Sequence, residues 1–538
     1  MKNRILKAPR APDVICGVVS GLLLFLSFPP ADLSFLAWAA PIPILWAAVK
    51  DPRRAAVPAY LGGAIWFLGG LAWVWHATGP GMIFLGMFLA LYLVAFAVAA
   101  GVLRRRLNIP LAIIAPIVWV TLETIRSNFM TGFPYLLLGH TQINNLTLMQ
   151  ILDITGVYGV SFLVMSCSGL LAEIALAFDS RAWRPVGISA AVVAAGLVGT
   201  VIYGHQRLGT IETKPGPEVC LVQANTPQDV KNVWSYEAAC YEMQKYTKLT
   251  YRCLKDAKGA SPLVIWPESA LPGFYNNLTS PWINTMRSKL DSMLRAYKIR
   301  RMLIGMNYLG PEGEERKFFN SAVYINGRYD DHERYDKIHL VPFGEYVPLA
   351  RLLFFVKGVV PYEQPFSAGR DYKLFDYEGE KFAVLICYED VFPGLVRRFV
   401  AKGAGFLVNI SNEGWFYRSA EADQHLAIAR CRAIENRVGM VRATNSGISC
   451  LIDPVGNVEK KIEKDGQVKL VEGWLCGRVT LGGSSATVYT RFGDVFALLC
   501  VACTLAAAMA ALLSGRRTIL RRRAVEPSQS LYREKPPS

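Results

Sequence analysis

The sequence predicts a membrane protein of two parts: a bundle of about eight transmembrane helices, and an α/β domain inserted before the last helix. Three observations predict this architecture. The 538 residues are 52% hydrophobic, with a mean hydropathy of +0.26, which is too apolar for an ordinary soluble protein. The apolar residues gather in long uncharged stretches at the two ends of the chain. Between them, short apolar runs alternate with amphipathic stretches, as in α/β domains.

A helix needs about 20 residues to cross a bilayer core, and eight apolar stretches approach this length. The first resembles a signal peptide, but no clear cleavage site follows it and further spans come at once, so we interpret it as a retained anchor. The second and fifth are the shortest, and interfacial tryptophans could cap them. The stretches cover residues 13–29, 34–49, 55–75, 82–103, 110–125, 157–178, 185–203 and 494–513.

Lysine and arginine residues predict the orientation of these spans. They cluster before the first stretch and after the second, fourth, sixth and eighth, whereas the turns around Pro30 and Gly79 carry none. By the positive-inside rule both termini face the cytoplasm, and the α/β domain faces the periplasm of a bacterium with two membranes. The net charge of +16 follows from this topology, and no basic run with interleaved aromatic residues indicates a nucleic-acid partner.

The predicted domains follow from these boundaries. Residues 1–204 carry transmembrane helices one to seven, residues 205–492 form the exported domain, residues 493–514 form helix eight, and residues 515–538 form a basic cytoplasmic tail. The exported domain contains apolar runs that indicate strands at 218–223, 263–266, 302–305, 322–325, 382–386, 406–410 and 447–452. Helical periodicity covers residues 235–255, 281–297 and 421–437.

Two apolar segments outside these elements have two possible roles. The loop at 126–156, on the exported side, is either a re-entrant packing segment or a segment that grips a lipid. The stretch at 349–360 has the same two interpretations, because exposed apolar patches often mark a membrane or ligand contact.

Cys387 is the first candidate for chemistry, because the apolar run 382–386 delivers it directly into the polar cluster Tyr388-Glu389-Asp390. In sheet enzymes the reacting groups lie where strands end. Taken alone, such a thiol is more often a core residue, since free cysteine is among the most buried residue types. The chain has eleven cysteines, and disulfides are possible in the predicted compartment, but no spacing dictates a pairing. Residues 205–492 have no CxxC motif or His/Cys cluster, which argues against a structural zinc there, and we predict no metal or cofactor.

Two other ionisable residues lie beside a predicted strand end or in a loop of the same domain. Glu268 comes after the strand 263–266, and Lys337 lies in the polar segment that begins at Tyr335. Singly, each is more often a solvated side chain. In this order, the three residues resemble the glutamate-lysine-cysteine triad of the nitrilase, or carbon-nitrogen hydrolase, superfamily. That resemblance implies a four-layer αββα sandwich.

The whole chain is similar to a narrower family, the apolipoprotein N-acyltransferases, which combine eight spans with a nitrilase-like domain between spans seven and eight. The matching segments are residues 223–228 ahead of Trp234, 342–345, 387–389 and 409–416, and only the basic tail after Arg523 is left unexplained. The resemblance implies acyl transfer from a phospholipid such as phosphatidylethanolamine. The acceptor would be the α-amine of an S-diacylglyceryl cysteine on an apolipoprotein.

The residue types suit this chemistry. A thiol is only slightly ionised at neutral pH, so Cys387 needs a base, and Glu268 can take the proton and return it to the leaving group. Lys337 and the backbone N–H after Cys387 could stabilise the oxyanion, and we expect Lys337 also to lower the pKa of the thiol. The predicted supporting residues are Glu345, which would orient Lys337 or Glu268, and Tyr388 and Glu389, which would shape the site. The candidates for lining the lipid entrance are Trp234, Trp415 and Phe416.

Alternatives remain open at this point. The aromatic candidates could be ordinary core residues, and His339 and His425 are predicted to be structural. A membrane-tethered amidase would use the same triad with water as the acceptor. A transporter or receptor is disfavoured, because Glu123 is the one convincing ionisable residue within the predicted spans, whereas transport pathways usually need several.

Overall fold

The computed structural model describes residues 8–181, 183–233, 235–257, 261–310, 317–348, 365–483 and 486–525. Ten helices precede the sheets in this part of the chain. They are α1 (Ala11–Leu26), α2 (Ile42–Lys50), α3 (Pro52–Gly70), α4 (Trp75–Thr78), α5 (Gly81–Leu107), α6 (Leu111–Asn128), α7 (Leu146–Met149), α8 (Leu152–Thr155), α9 (Val157–Ser180) and α10 (Trp183–Thr210).

Among the described residues, four helices are long and apolar enough to cross a membrane: Gly81–Leu107, Val157–Phe178, Trp183–Thr210 and Val495–Ser514. Helix α3 and the segment Ala72–Thr78 make a fifth if this pair, bent by 59°, is one span. The first two predicted stretches form shorter apolar helices, and the second is interrupted after Trp38. Each predicted stretch is thus largely helical, while the count of eight spans stays a prediction.

Small residues let the first helices approach closely. A Cβ on Gly17 would lie 2.1 Å from the carbonyl oxygen of Pro58, and one on Gly21 would lie 2.3 Å from that of Gly62. Helices α1 and α3 therefore touch backbone to backbone, the arrangement that small residues four apart permit in membranes.

The rest of the chain forms two six-stranded sheets with their flanking helices. The first sheet has the order β12-β1-β2-β3-β4-β5, and the second has the order β11-β10-β9-β8-β7-β6. The strands are β1 (Thr213–Gln223), β2 (Leu263–Trp266), β3 (Arg301–Leu309), β4 (Phe318–Asn326), β5 (His332–Asp336), β6 (Leu374–Tyr377), β7 (Glu380–Ile386), β8 (Phe406–Ser411), β9 (Gly439–Thr444), β10 (Cys450–Ile452), β11 (Val458–Lys461) and β12 (Gly473–Gly482). The helices are α11 (Gln228–Lys231), α12 (Tyr236–Asp256), α13 (Pro281–Ala296), α14 (Pro393–Ala401), α15 (Glu421–Asn436), α16 (Val488–Phe492) and α17 (Val495–Val525).

Alternating side chains place each strand between two cores. In β1, Val219 and Leu221 lie in the core between the two sheets, whereas Cys220 and Val222 lie in the core under α12 and α13. The strand period of two explains this division, and it explains why β1 and β2 have nearly continuous apolar runs. Helices α14 and α15 cover the other face of the second sheet. The domain is therefore the αββα sandwich that the resemblance implies.

Helix α15 belongs to two cores at once. Ala429 and Ala433 pack on the second sheet, while Ile428, Cys431 and Ile434 lie in the same apolar cluster as the N-terminal helices. The sandwich therefore continues into the helical part through a shared core.

Several strands were not predicted, and one prediction is too long. Strands β5 and β9 contain charged residues, among them the buried Arg442, and these break the apolar run by which strands are recognised. The strand predicted at 447–452 begins only at Cys450. The preceding residues form a turn in which the Ser449 hydroxyl accepts a hydrogen bond from the Thr444 amide at 2.9 Å. The sequence also left disulfide pairing open, and in the structure Cys220 is bonded to Cys253.

Candidate active site

The three predicted triad residues follow strands that end at one edge of the sandwich. Glu268 follows β2, Lys337 follows β5 and Cys387 follows β7. Strands β1, β2 and β3 are parallel, as are β7, β8 and β9, so several strands of each sheet deliver their carboxyl ends to the same crevice. The structure therefore brings all three residues to the wall of one cavity.

Cys387 starts a short 3-10 helix, Cys387–Val391, with a φ of +52°. Few residues other than glycine adopt this left-handed region, so the sharp turn is held by its surroundings. One contact that holds it is the hydrogen bond from the Asn409 side-chain amide to the Cys387 carbonyl oxygen, at 3.1 Å. Part of the residue stays accessible and lines the cavity.

The thiol of Cys387 is hard to ionise. Burial and the negative charge of Glu268 raise its pKa well above the ordinary value, whereas Lys337 acts in the opposite direction. The expected effect of Lys337 is present, but burial and Glu268 together outweigh it. Cys387 therefore rests as a neutral thiol, and a base must take its proton as it attacks.

One amide group, on Asn320, joins the two carboxylates of the site. Its Nδ2 donates to Glu268 Oε1 at 2.7 Å and to Glu345 Oε1 at 2.9 Å. The other oxygen of Glu268 accepts from the backbone N–H of Asn412 at 2.9 Å. Lys337 Nζ lies 2.9 Å from Glu345 Oε1 and 3.5 Å from Glu268 Oε1. Glu345 thus contacts Lys337 directly and reaches Glu268 through Asn320.

Lys337 is a buried cation whose charge is secured by these acids. Burial alone would lower its pKa, but the carboxylates of Glu345 and Glu268 outweigh that effect and raise it. The Val341 amide donates to the second oxygen of Glu345 at 2.7 Å and so closes the loop that carries Lys337. A charged ammonium group therefore stands in the cavity wall together with Cys387.

Glu389 fixes the segment after Lys337 to the end of β7. Its Oε1 accepts from the Tyr335 hydroxyl at 2.7 Å and from the amides of Ile338 and His339 at 2.7 and 3.1 Å. Its Oε2 accepts from the Ile386 amide at 2.8 Å. Burial raises the pKa of Glu389 to about 7, even though these donors favour the ionised form. The carboxylate thereby sets the position of Lys337 relative to Cys387.

The cavity above the three residues has a volume of about 1420 Å³, larger than the roughly 300–1,000 Å³ of ordinary small-molecule pockets. A large part of its wall comes from the N-terminal part of the chain, including Trp73, Phe88 and residues 129–133. Phe84 of α5 also lines it and is 76% exposed. A wall residue that is this exposed means that the cavity reaches the outer face of an apolar helix.

The aromatic residues predicted to line the site have different outcomes. Trp415 and Phe416 both line the cavity, and Phe416 packs edge-on against Trp73 at 4.9 Å. Tyr388 also lines it and stacks on Tyr135 with ring centroids 6.1 Å apart. Trp234 lies outside the described residues, as does the predicted contact segment 349–360.

The two histidines differ in their surroundings. His339 stacks on Phe392 at 3.7 Å, and burial together with Lys337 lowers its pKa to about 4, so it is neutral. His425 lies on the cavity wall and takes part in a buried ionic cluster behind Cys387.

Sequence reasoning missed Asn320 and the role of Asn412, and it left the loop 126–156 with two possible roles. Asn320 lies inside β4, where a single amide has no distinguishing signal. Asn412 directly follows β8, so its position at a strand end could have marked it. Tyr135 and residues 129–133 line the cavity, which makes the loop part of the site.

The sandwich with a glutamate, a lysine and a cysteine at its strand ends defines an enzyme of the nitrilase superfamily. Residues 218–468 match the carbon-nitrogen hydrolase family model, and residues 20–170 match the model of the apolipoprotein N-acyltransferase N-terminal domain. The chain is 38% identical to the apolipoprotein N-acyltransferase of Geobacter metallireducens, over 94% of this chain and 96% of that one. The chain therefore belongs to the apolipoprotein N-acyltransferase family.

A second relative agrees with this assignment. The apolipoprotein N-acyltransferase of Methylococcus capsulatus is 31% identical, with 82% of this chain and 86% of that one covered. Among solved structures, an amidase from Nesterenkonia aligns with 54% of this chain and 98% of that one, at 17% identity and a TM-score of 0.37.

Proposed function

We propose that this protein transfers an acyl chain from a phospholipid, through a thioester on Cys387, to the α-amine of the N-terminal S-diacylglyceryl cysteine of apolipoproteins. The donor is a phosphatidylethanolamine-like lipid. The family of the chain supports the reaction, and the arrangement of Cys387, Glu268 and Lys337 supports the mechanism.

In the first half-reaction Cys387 attacks the ester carbonyl of the donor. Glu268 takes the thiol proton as the carbon-sulfur bond forms, and it then gives that proton to the leaving lysophospholipid hydroxyl as the carbon-oxygen bond breaks. Lys337 and the Tyr388 backbone N–H stabilise the oxyanion, and each such donor contributes roughly 3–4 kcal/mol. Because Asn320 and the Asn412 amide hold Glu268, its carboxylate keeps a fixed orientation.

The second half-reaction reverses these roles. The α-amine of the apolipoprotein attacks the thioester carbon, its proton passes to Glu268, and the carbon-sulfur bond breaks. The proton then returns to the Cys387 sulfur, which restores the resting thiol. The product carries an amide bond, and the enzyme alternates between free and acylated forms.

Residues 205–492 would be the periplasmic catalytic domain in the inner membrane, with both termini in the cytoplasm. Both substrates carry acyl chains, and each buried CH₂ holds a chain in the bilayer by about 0.8 kcal/mol. The active site must therefore open at the membrane. The contribution of Phe84 and Phe88 of α5 to the cavity wall supports such an opening.

The observation that carries this proposal is the partly accessible Cys387 beside Glu268 and Lys337 in a cavity that the apolar helices share. Incubation with phospholipid should add one acyl chain, seen by intact-mass analysis and removed by hydroxylamine. The adduct should be absent from Cys387→Ala and present in Cys240→Ser, since Cys240 lies on α12 away from the cavity.

An adduct of the same lability on Cys387→Ala would overturn the assignment of the nucleophile. Release of the acyl chain to water, with none passed to a diacylated lipopeptide, would instead favour the amidase-like reaction.

A further inference from the structure

Five charged side chains form a buried cluster next to the nucleophile. His425 Nε2 lies 2.5 Å from Asp390 Oδ1, and His425 Nδ1 lies 3.1 Å from Glu413 Oε1 and 3.3 Å from Glu421 Oε1. Arg442 is paired with Asp390 at 3.0 Å and also with Glu413. All five are at most 3% exposed.

The cluster has one more negative group than positive groups when all its members are ionised. Asp390 and Glu413 each contact both cations, His425 and Arg442, so their charges are compensated. Glu421 is left with the weaker partners, the shared His425 Nδ1 and the Tyr135 hydroxyl at 3.5 Å. The excess negative charge therefore lies on Glu421.

Glu421 is also a member of the cluster that lines the cavity, and its second oxygen is unused. Within the described part of the chain, Glu421 Oε2 is buried and has no hydrogen-bond partner. Burial and the charge of Glu413 raise the pKa of Glu421, so its ionised form is costly without a further partner. Glu421 and Cys387 line the same cavity, and the charge of Glu421 contributes to the raised pKa of the thiol.

Aromatic rings enclose the same part of the cavity. Tyr135 stands between Glu421 and Tyr388, and Trp73 packs against both Tyr135 and Phe416 at 5.2 and 4.9 Å. Aromatic faces attract cations as well as excluding water. The surroundings of Glu421 are thus suited to a small organic cation.

We propose that Glu421 is a substrate-binding residue that receives the primary ammonium group of a substrate in the cavity. The inference rests on the proposed function, in which two substrates bring such a group: the ethanolamine headgroup of the donor and the α-amine of the acceptor. The ammonium donates to Oε2 of Glu421 and compensates the excess charge of the cluster.

An ammonium fits this site better than a divalent metal ion. Glu413, Glu421 and His425 have ligand atoms within 4.8 Å of one another, as a metal site would require. Asp390 and Glu413, however, raise the pKa of His425 well above its ordinary value although burial opposes them, and a protonated imidazole has no lone pair for a metal. Glu413 is already ion-paired with Arg442, which makes it a poor metal ligand.

The test measures the two half-reactions separately with the full-length protein in phospholipid-detergent micelles. Single-turnover acylation of Cys387 is compared between phosphatidylethanolamine and phosphatidylglycerol of the same acyl chains. Aminolysis is measured with enzyme acylated from phosphatidylglycerol and increasing diacylated lipopeptide. We expect Glu421→Gln to lower, by about tenfold or more, the efficiency of the half-reaction whose substrate ammonium group Glu421 binds. The other half-reaction should change little. A loss with phosphatidylethanolamine alone identifies the headgroup; a raised half-saturating lipopeptide concentration identifies the α-amine.

Two variants control for folding. Glu421→Asp keeps the negative charge, so it should retain most of the activity that Glu421→Gln loses. Asp423→Asn, two residues further along α15, removes a carboxylate that pairs with Lys469 and does not line the cavity, so both half-reactions should match the wild type.

The inference is overturned if Glu421→Gln matches the wild type in both arms, or if it slows both donors equally and leaves aminolysis unchanged. It is also overturned if chelation abolishes wild-type activity and a divalent metal restores it. If wild-type protein forms no thioester with either donor, the proposed function fails instead.

Discussion

At the scale of single residues, Asn320 is the simplest way to perturb the site without touching a reacting group. Asn320→Ala removes the donor that Glu268 and Glu345 share, and the lost buried hydrogen bonds should cost about 1–3 kcal/mol of unfolding free energy. Because Glu268 then keeps only the Asn412 amide and the longer contact with Lys337, its orientation is held less firmly, and thioester formation should slow by about 10- to 100-fold. Rapid-quench acylation with labelled phospholipid measures the rate.

The matched control is Asn326→Ala at the exposed end of the same strand, which should change stability by no more than about 0.5 kcal/mol. If Asn320→Ala forms the thioester at the wild-type rate, Glu268 does not need the hydrogen bond from Asn320.

Glu389 predicts a pH dependence that one substitution can isolate. The ionised carboxylate accepts the amides that position Lys337, so the acylation rate should rise as pH increases through the Glu389 pKa of about 7 and fall below it. Glu389→Gln cannot ionise, so it should be slower at high pH and lose this inflection. A rate profile from pH 5.5 to 8.5, with an inflection near 7 in both proteins, would assign the titration to another group.

The residues that could be predicted are those whose chemistry and position coincide. Cys387 and Glu268 follow apolar runs that are strands, so their place at the sheet edge could be inferred before the structure was known. Asn320, within a strand, and Glu421, at the start of a helix, gain their importance from partners more than 50 residues away, such as Glu268 and Tyr135. No local pattern encodes such contacts.

At the scale of elements, apolar periodicity predicted the buried strands and missed the polar ones. Strands β2 and β8 are buried at every position; β2 is a continuous apolar run, and β8 departs from one only at Asn409 and Ser411. Strand β5, with the sequence His-Glu-Arg-Tyr-Asp, forms the edge of its sheet and contains no apolar run. Since β5 carries the chain into Lys337, the loop containing the lysine was predicted without the strand that positions it.

The crossing of α1 and α3 can be tested by adding a side chain where the backbones touch. A Cβ on Gly21 would lie 2.3 Å from the Gly62 carbonyl oxygen, so Gly21→Leu should separate the helices and cost about 1–3 kcal/mol or more. Thermal unfolding in detergent should show a clear decrease in Tm. Gly199→Leu on α10 is the control, because a Cβ there has no heavy atom within 4 Å. Equal Tm values for the two variants would contradict this packing.

At the scale of the whole molecule, the two predicted parts are joined more closely than composition suggested. Gln424 of α15 accepts from the Trp73 indole at 3.0 Å and donates to the Gly70 carbonyl oxygen at 2.9 Å. On the other side, Arg437 pairs with Asp153 at 2.8 Å. A hydropathy profile separates the apolar helices from the sandwich, but it contains no information about these contacts, which hold the apolar helices against the sandwich beside the cavity.

The central claim is that Cys387 carries the acyl chain between two lipid substrates. The most direct measurement is acyl transfer from a labelled phospholipid to a diacylated lipopeptide, by wild-type protein and by Cys387→Ala with verified folding. The account predicts a labelled triacylated product with the wild type and none with Cys387→Ala. Transfer by Cys387→Ala at the wild-type rate would contradict it.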